Sequence, residues 1–214
     1  MKKNAILLLC LALLAAASFA QVKTTIKLNP HDSNRGLTIM KAFELRSSQS
    51  TFDTLSLKLQ DLSDLLWAAD GLNRPEIGKR TAPSAMNTQD VDIYVIMKAG
   101  AYIYDFKNHQ LNLVAEGDHR LAAAGRQANF AGAPVFCILV TDISKFKSGA
   151  DTDRLQWAAL DAGTISQNIG LFCAGNGFAT HPRTTMDLPK LKEILKLTAT
   201  QYPLINNLVA YKKE

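Results

Sequence analysis

The chain has 214 residues, 47% of them hydrophobic and 20% charged, with a formal net charge of +5. This is the composition of a globular protein, since a disordered chain would carry fewer apolar residues and more unbalanced charge. Three cysteines and four histidines exclude a disulfide-stapled mini-protein and leave little material for a metal centre, and mild positive charge without an arginine-rich stripe gives no ground for nucleic-acid binding.

At the N-terminus, Lys2 and Lys3 precede an unbroken apolar stretch from Ala5 to Ala17, and Ser18-Phe19-Ala20 offers small residues at a leader-peptidase site. Residues 1–20 therefore read as a signal peptide cleaved before Gln21. The apolar stretch is shorter than the about 20 residues a spanning helix needs. The expectation is an exported protein, periplasmic or secreted, with no stable membrane anchor after cleavage. Losing Lys2 and Lys3 lowers the charge to about +3. Cys137 and Cys173 then remain, both in apolar surroundings, where buried thiols are expected.

Residues 21–36 are polar and read as an N-terminal tether with a short strand within Val22–Leu28. A single domain is expected over residues 37–214, with no internal repeat. A helix is predicted from Leu37 to Leu45. A second is marked by Leu59, Leu62, Leu65, Leu66 and Ala69 at three- and four-residue steps, with Gly71 as its stop. Asn73 to Asn87 is rich in Pro, Gly, Ser, Thr and Asn and reads as a long loop. Alternation at Val91, Ile93 and Val95, then runs from Ala101 to Phe106 and Leu111 to Ala115, predict a meander of antiparallel strands. A helix over His119–Phe130 and a buried strand over Val135–Val140 follow. Thr152 to Gly175 is apolar nearly all round and predicts a buried helix. Gly177–Thr185 reads as a loop, Pro189–Thr200 as an amphipathic helix and Leu204–Tyr211 as a final strand.

Four polar segments interrupt this apolar framework. Arg46-Ser47-Ser48-Gln49-Ser50 combines a guanidinium fork with hydroxyl donors, a combination that suits a phosphate, although a serine-rich turn would look the same. Arg80 to Asn87 joins a rigid Pro83 to small residues that let a flat ligand approach the backbone, or is simply a loop before a strand. Gly125-Arg126-Gln127 offers a side-chain amide able to read the edge of a heterocycle, or a solvated helix face. Asp161 to Asn168 brings small residues into a helix, permitting close packing against another subunit or within one chain, and the loop Gly175 to Arg183 follows it. No Gly-x-Ser-x-Gly elbow, Walker-type phosphate loop, or His-x-x-x-His or Cys-x-x-Cys metal spacing occurs.

Taken in order, these segments resemble the flavin-dependent nitroreductase family. Arg46-Ser47-Ser48-Gln49-Ser50 resembles its phosphate clamp, Pro83-Ser84-Ala85-Met86-Asn87 its Pro-Ser-x-x-Asn loop, Ser166-Gln167-Asn168 the polar centre of its buried helix, and Gly177-Phe178-Ala179-Thr180 its Gly-x-x-Thr loop. Leu62 to Gly71, Arg80 to Asn87, and Gly100-Ala101-Tyr102-Ile103-Tyr104-Asp105 look most like the branch containing azoline-oxidising dehydrogenases. The resemblance spans Leu37 to Tyr211. It implies an α+β sandwich, with a central, mostly antiparallel sheet flanked by helices, in an intertwined homodimer with FMN at the interface.

On that resemblance Arg46 and Ser48, with Ser47 and Ser50 beside them, hold the FMN phosphate. Pro83, Ser84, Ala85 and Asn87 line the flavin, Gln127 faces its pyrimidine edge, and the Thr184–Thr185 backbone lies near N5. No residue is assigned as catalytic and no metal is expected, because the flavin carries the chemistry. The implied activity transfers two electrons through N5 from a reduced donor, NAD(P)H by resemblance, to a nitro, quinone or related small acceptor. One position departs from the pattern: Ser50 stands where the clamp carries a second basic residue, removing one charge-assisted bond. A non-catalytic flavin or small-ligand binding protein on the same fold is the alternative reading, and an azoline dehydrogenase acting on a peptide is a third.

Overall fold

The structure is a computed structural model and describes residues 23–213. The leader reading of residues 1–20 lies outside the described residues.

The strands are β1 (Thr25–Lys27), β2 (Leu72–Arg74), β3 (Lys79–Arg80), β4 (Val91–Met97), β5 (Gly100–Asp105), β6 (Gln110–Glu116), β7 (Val135–Asp142), β8 (Phe178–Arg183) and β9 (Gln201–Tyr211). The helices are α1 (Ile39–Leu45), α2 (Leu59–Asp70), α3 (Arg120–Ala124), α4 (Asp151–Asn176) and α5 (Leu188–Ile194). Seven strands form one sheet in the order β1-β6-β5-β4-β7-β9-β8, and β2 pairs with β3 apart from it. Every ladder in the large sheet is antiparallel.

The sheet is covered on both faces, and its central strands show why. Successive side chains of a strand point to opposite faces. In β7, Val135, Cys137 and Leu139 pack on one face with Leu62, Leu65, Leu66 and Ala69 of α2 and Ala162, Ile165, Ile169 and Cys173 of α4. Phe136, Ile138 and Val140 pack on the other, with Ala122, Ala123 and Ala124 of α3 and Leu191 of α5. A continuous apolar run is thus what a strand between two helical layers requires. The α+β sandwich expected from the sequence is the architecture observed.

Several elements differ from their sequence reading. The loop over Asn73–Asn87 contains β2, β3 and two short 3-10 turns. The helix over His119–Phe130 stops at Ala124, because Gly125 takes φ +58 and a Cβ there would lie 2.9 Å from the Met186 backbone. A 3-10 turn over Ala128–Phe130 completes the segment. The helix over Pro189–Thr200 starts at Leu188, capped by Asp187, and ends at Ile194; Lys196, two residues on, is left-handed at φ +54. Gly177–Thr185 is largely strand rather than loop: β8 pairs with β9 from Phe178–Tyr211 to Arg183–Asn206. It is an edge strand, where a residue such as Pro182 that cannot donate is tolerated. Helix α4 is buried on one side only, and Leu160 is 64% exposed.

The predicted stop of α2 holds for a steric reason, since a Cβ at Gly71 would sit 2.6 Å from the Trp67 carbonyl oxygen. Residues 23–36 add β1 to the edge of the sheet and then cross α2. There the Arg35 guanidinium pairs with Asp61 and Asp64 at 2.5 and 2.7 Å. Cys137 and Cys173 are buried free thiols, and burial pushes the Cys137 pKa up to about 12.

Candidate functional site

The segment Arg46–Ser50 leaves α1 and meets β8 at Gln49. Gln49 N–H donates to the Thr180 carbonyl at 2.9 Å, and the His181 ring Nδ1 lies 3.3 Å from the Gln49 carbonyl. This contact partly covers the sheet edge and places the segment beside the strand that leads into Thr184 and Thr185. Arg46 is exposed, with its backbone N–H bonded to the Ala42 carbonyl. Its guanidinium has no hydrogen-bond or ion-pair partner among the described residues. Ser47 accepts from the Gln49 side chain at 2.7 Å, while Ser48 and Ser50 are exposed.

Beyond the end of β8, Gln127, Pro182, Arg183, Thr184, Thr185 and Ile205 line an open groove of about 400 Å³. Its floor is a polar cluster that sequence reasoning did not assemble. Arg183 is 7% exposed. Its guanidinium donates to Gln127 Oε1 at 2.8 Å, Asn206 Oδ1 at 3.1 Å and the Ala123 and Ala124 carbonyls at 3.2 and 3.3 Å. It also lies 4.7 Å from the centre of the Phe130 ring. Asn206, fully buried, donates in turn to the Thr185 carbonyl at 3.0 Å and so fixes the backbone at the groove. The sequence carried a signal for this: Asn206-Asn207 interrupts an otherwise apolar strand.

The Pro83–Asn87 loop lies elsewhere, over α4 and the start of β4. Ala85 N–H donates to both Asp161 carboxylate oxygens, at 2.8 and 3.0 Å, and Gln89 N–H donates to Ser84 Oγ at 2.6 Å. These bonds hold a strained turn: Met86, Asn87 and Gln89 are all left-handed, at φ 51, 54 and 51. Non-glycine residues there cost of order 1–3 kcal/mol each and cluster at functional sites. Beneath the loop, Asp70, Arg80, Asp90 and Asp161 border a water-sized space of about 10 Å³. Arg80 pairs with Asp70 in the interior, and burial pushes Asp70 up to about 7 against the pull of that guanidinium. Asp90 is fully buried; its Oδ2 accepts from Thr141, while its Oδ1 has no partner among the described residues. Burial and the facing Asp90 carboxyl also push the Asp161 pKa up.

Within one chain the site residues named from the sequence therefore fall into two groups. Arg46, Ser47, Ser48 and Ser50 stand in the segment that Gln49 ties to the middle of β8, with the Arg46 stem against Gly170 of α4, while Gln127, Thr184 and Thr185 line the groove at the end of that strand. Pro83, Ser84, Ala85 and Asn87 stand on α4, and no hydrogen bond among the described residues joins them to the first group. Ser166 and Asn168, expected at the core of a buried helix, bond to Asn207 Oδ1 and the Ala69 carbonyl, tying α4 to β9 and α2. Arg183, Asn206 and Asp161 are the residues that sequence reasoning assigned no role. Among the described residues no group of three or more His, Cys, Asp or Glu is placed to hold a metal, and no helix is long and apolar enough to cross a membrane.

Comparison with known proteins gives this geometry its context. A search of curated proteins found no match. Among solved structures, a putative nitroreductase from Ralstonia eutropha JMP134 superposes with a TM-score of 0.82 at 29% identity, covering 91% of this chain and 92% of the other. The Escherichia coli microcin synthetase McbBCD complex matches with a TM-score of 0.69 at 15% identity, over 94% and 82% of the two chains. A putative NADH oxidase from Clostridium acetobutylicum matches with a TM-score of 0.56 at 19% identity, over 82% and 88%. The sequence model described as "Nitroreductase family" matches residues 44–209, and with that span most of the chain is accounted for: it belongs to the nitroreductase family.

Proposed function

We propose that this protein is an FMN-dependent oxidoreductase that works as a homodimer outside the cytoplasm. The observation that carries the reading is the groove of Gln127, Thr184 and Thr185 at the end of β8, the strand to which Gln49 of the Arg46–Ser50 segment is bonded, in a chain of this family. The chain's own donors suit FMN. Arg46 presents an unpartnered guanidinium beside two exposed hydroxyls, the donor set a phosphate takes. Gln127 has committed its carbonyl oxygen to Arg183 and keeps its NH2 group at the groove.

When bound, the flavin supplies two-electron chemistry at N5. The protein's part is to hold and orient it. Arg46, Ser48 and Ser50 anchor the phosphate, Gln127 reads the ring edge, and the Thr184–Thr185 backbone, fixed by Asn206, forms the wall. The separation of Pro83–Asn87 from this set supports a dimer, in which the loop of one chain closes the groove of the other. Helix α1 supports it too: Ile39, Met40 and Phe43 are each more than half exposed, an apolar patch that a lone soluble chain rarely carries. The leader reading of residues 1–20 supports export.

Purified protein is expected to absorb as a flavoprotein near one FMN per chain. Colourless protein that also fails to take up added FMN refutes the reading. A second reading, a flavin carrier without turnover, is favoured by one feature, the single cation of a clamp in which Ser50 replaces a base. Oxidation of NADH or NADPH with a nitroaromatic or quinone acceptor separates the two, since a carrier gives none.

A further inference from the structure

Arg183 is a buried guanidinium without a counter-charge. No Asp or Glu among the described residues pairs with it. Its partners are neutral amides and carbonyls, two of them at the C-terminal end of α3, where helix carbonyls supply only partial negative charge. Its Nε has no hydrogen-bond partner among the described residues. An uncompensated buried charge is expensive. The usual economies, a neutral side chain or a neighbouring carboxylate, are both absent here, and the charge sits directly behind the groove of Gln127, Thr184 and Thr185.

The same contact settles how Gln127 is turned. A guanidinium can only donate, so the Gln127 atom 2.8 Å from Arg183 is the carbonyl oxygen and its NH2 is the end left for a ligand. The groove therefore presents a donor beside a full positive charge that is itself buried, at 7% exposure, and so less screened than a surface charge. It matches a ligand edge rich in acceptors and becoming negative.

We propose that Arg183 is a positioning residue that turns the Gln127 amide outward and, with its unneutralised charge, makes the groove favour reduced over oxidised FMN. The inference rests on the flavin reading above. Uptake of two electrons and one proton by the neutral ring of oxidised FMN would leave one added negative charge on that ring, the electrons coming from the reduced donor of the proposed activity. Arg183 lies in the floor of the groove, bonded to the Gln127 amide. It acts through the amide and through its field, the kind of charge by which a protein tunes flavin electronics.

The test is the midpoint potential of the FMN-loaded protein, read by spectroelectrochemical titration with mediator dyes. Gln127→Glu places a carboxylate against the guanidinium at an exposed position, neutralising it without emptying the interior. It is expected to lower the preference for reduced over oxidised FMN at least tenfold, a fall of about 30 mV for a two-electron couple. Arg183→Gln is expected to do the same, and Arg183→Lys to restore the potential to within threefold of the parent preference. A Gln127→Glu protein that binds FMN with an unmoved midpoint overturns the inference and leaves the flavin reading standing, even if Arg183→Gln does not fold. Parent protein that takes up no FMN overturns both.

Discussion

Replacement of Asp161 by Asn tests the arrangement beneath the Pro83–Asn87 loop. In the native protein the Asp161 carboxylate accepts Ala85 N–H through both oxygens and faces Asp90, whose Oδ1 lacks a partner. A proton held between the two carboxyls satisfies that oxygen and removes the repulsion. The folded protein thus binds a proton that the unfolded chain releases near pH 4, the ordinary carboxylate value. The sign follows: where the native state holds more protons, stability falls as pH rises, by up to about 1.4 kcal/mol per pH unit for one proton. Asp70, raised to about 7, adds a term of the same sign. His109, whose pKa burial lowers, adds one of opposite sign near neutrality. In Asp161→Asn the amide oxygen still accepts Ala85 N–H and the amide NH2 donates to Asp90, so the shared proton is no longer needed. The slope between pH 4.5 and 6.5 is then expected to become less negative by up to about 1.4 kcal/mol per unit, and the variant to gain on the parent as pH rises. Urea unfolding at several pH values in that interval measures this, and Asp70 and His109 cancel in the difference. A variant whose stability runs parallel to the parent's across the interval refutes the shared proton.

Arg46→Ala is expected to weaken FMN binding by roughly 1.5–3 kcal/mol, the worth of a hydrogen bond to a charged group, with little change in melting temperature; a fluorescence titration that finds parent affinity removes Arg46 from the phosphate site. Phe43→Asp on the exposed face of α1 is expected to yield monomers in sedimentation velocity and to lose FMN with them, whereas a dimer that survives the change places the interface elsewhere. Above pH 8, where the Asp70 carboxyl is ionised, Arg80→Met strands it in the interior and is expected to cost about 3–5 kcal/mol by denaturant unfolding. A cost below about 1 kcal/mol would mean that the Asp70 carboxyl is already neutral in the parent.

Periodicity and order in the sequence determined the layers. Leu62, Leu65, Leu66 and Ala69 declared the buried stripe of α2, and the short continuous apolar run from Val135 to Val140 read as the buried strand that it is. The four polar segments in their order pointed to the family. These signals are local: each lies within a few turns or strand steps, where spacing alone sets the face.

Tertiary structure decided the rest, because it depends on pairs that are remote along the chain. The segment from Phe178 to Arg183 is a strand by virtue of β9, more than twenty residues away, and its proline and histidine gave no such hint. Nothing near Arg183 in sequence announces that it will be buried against Gln127 and Asn206, nor does Asp161 show that it will meet Ala85 and Asp90. Burial and charge neutralisation are properties of the assembled interior, so which polar residues become expensive, and therefore informative, emerges only once the sheet has closed between its helices.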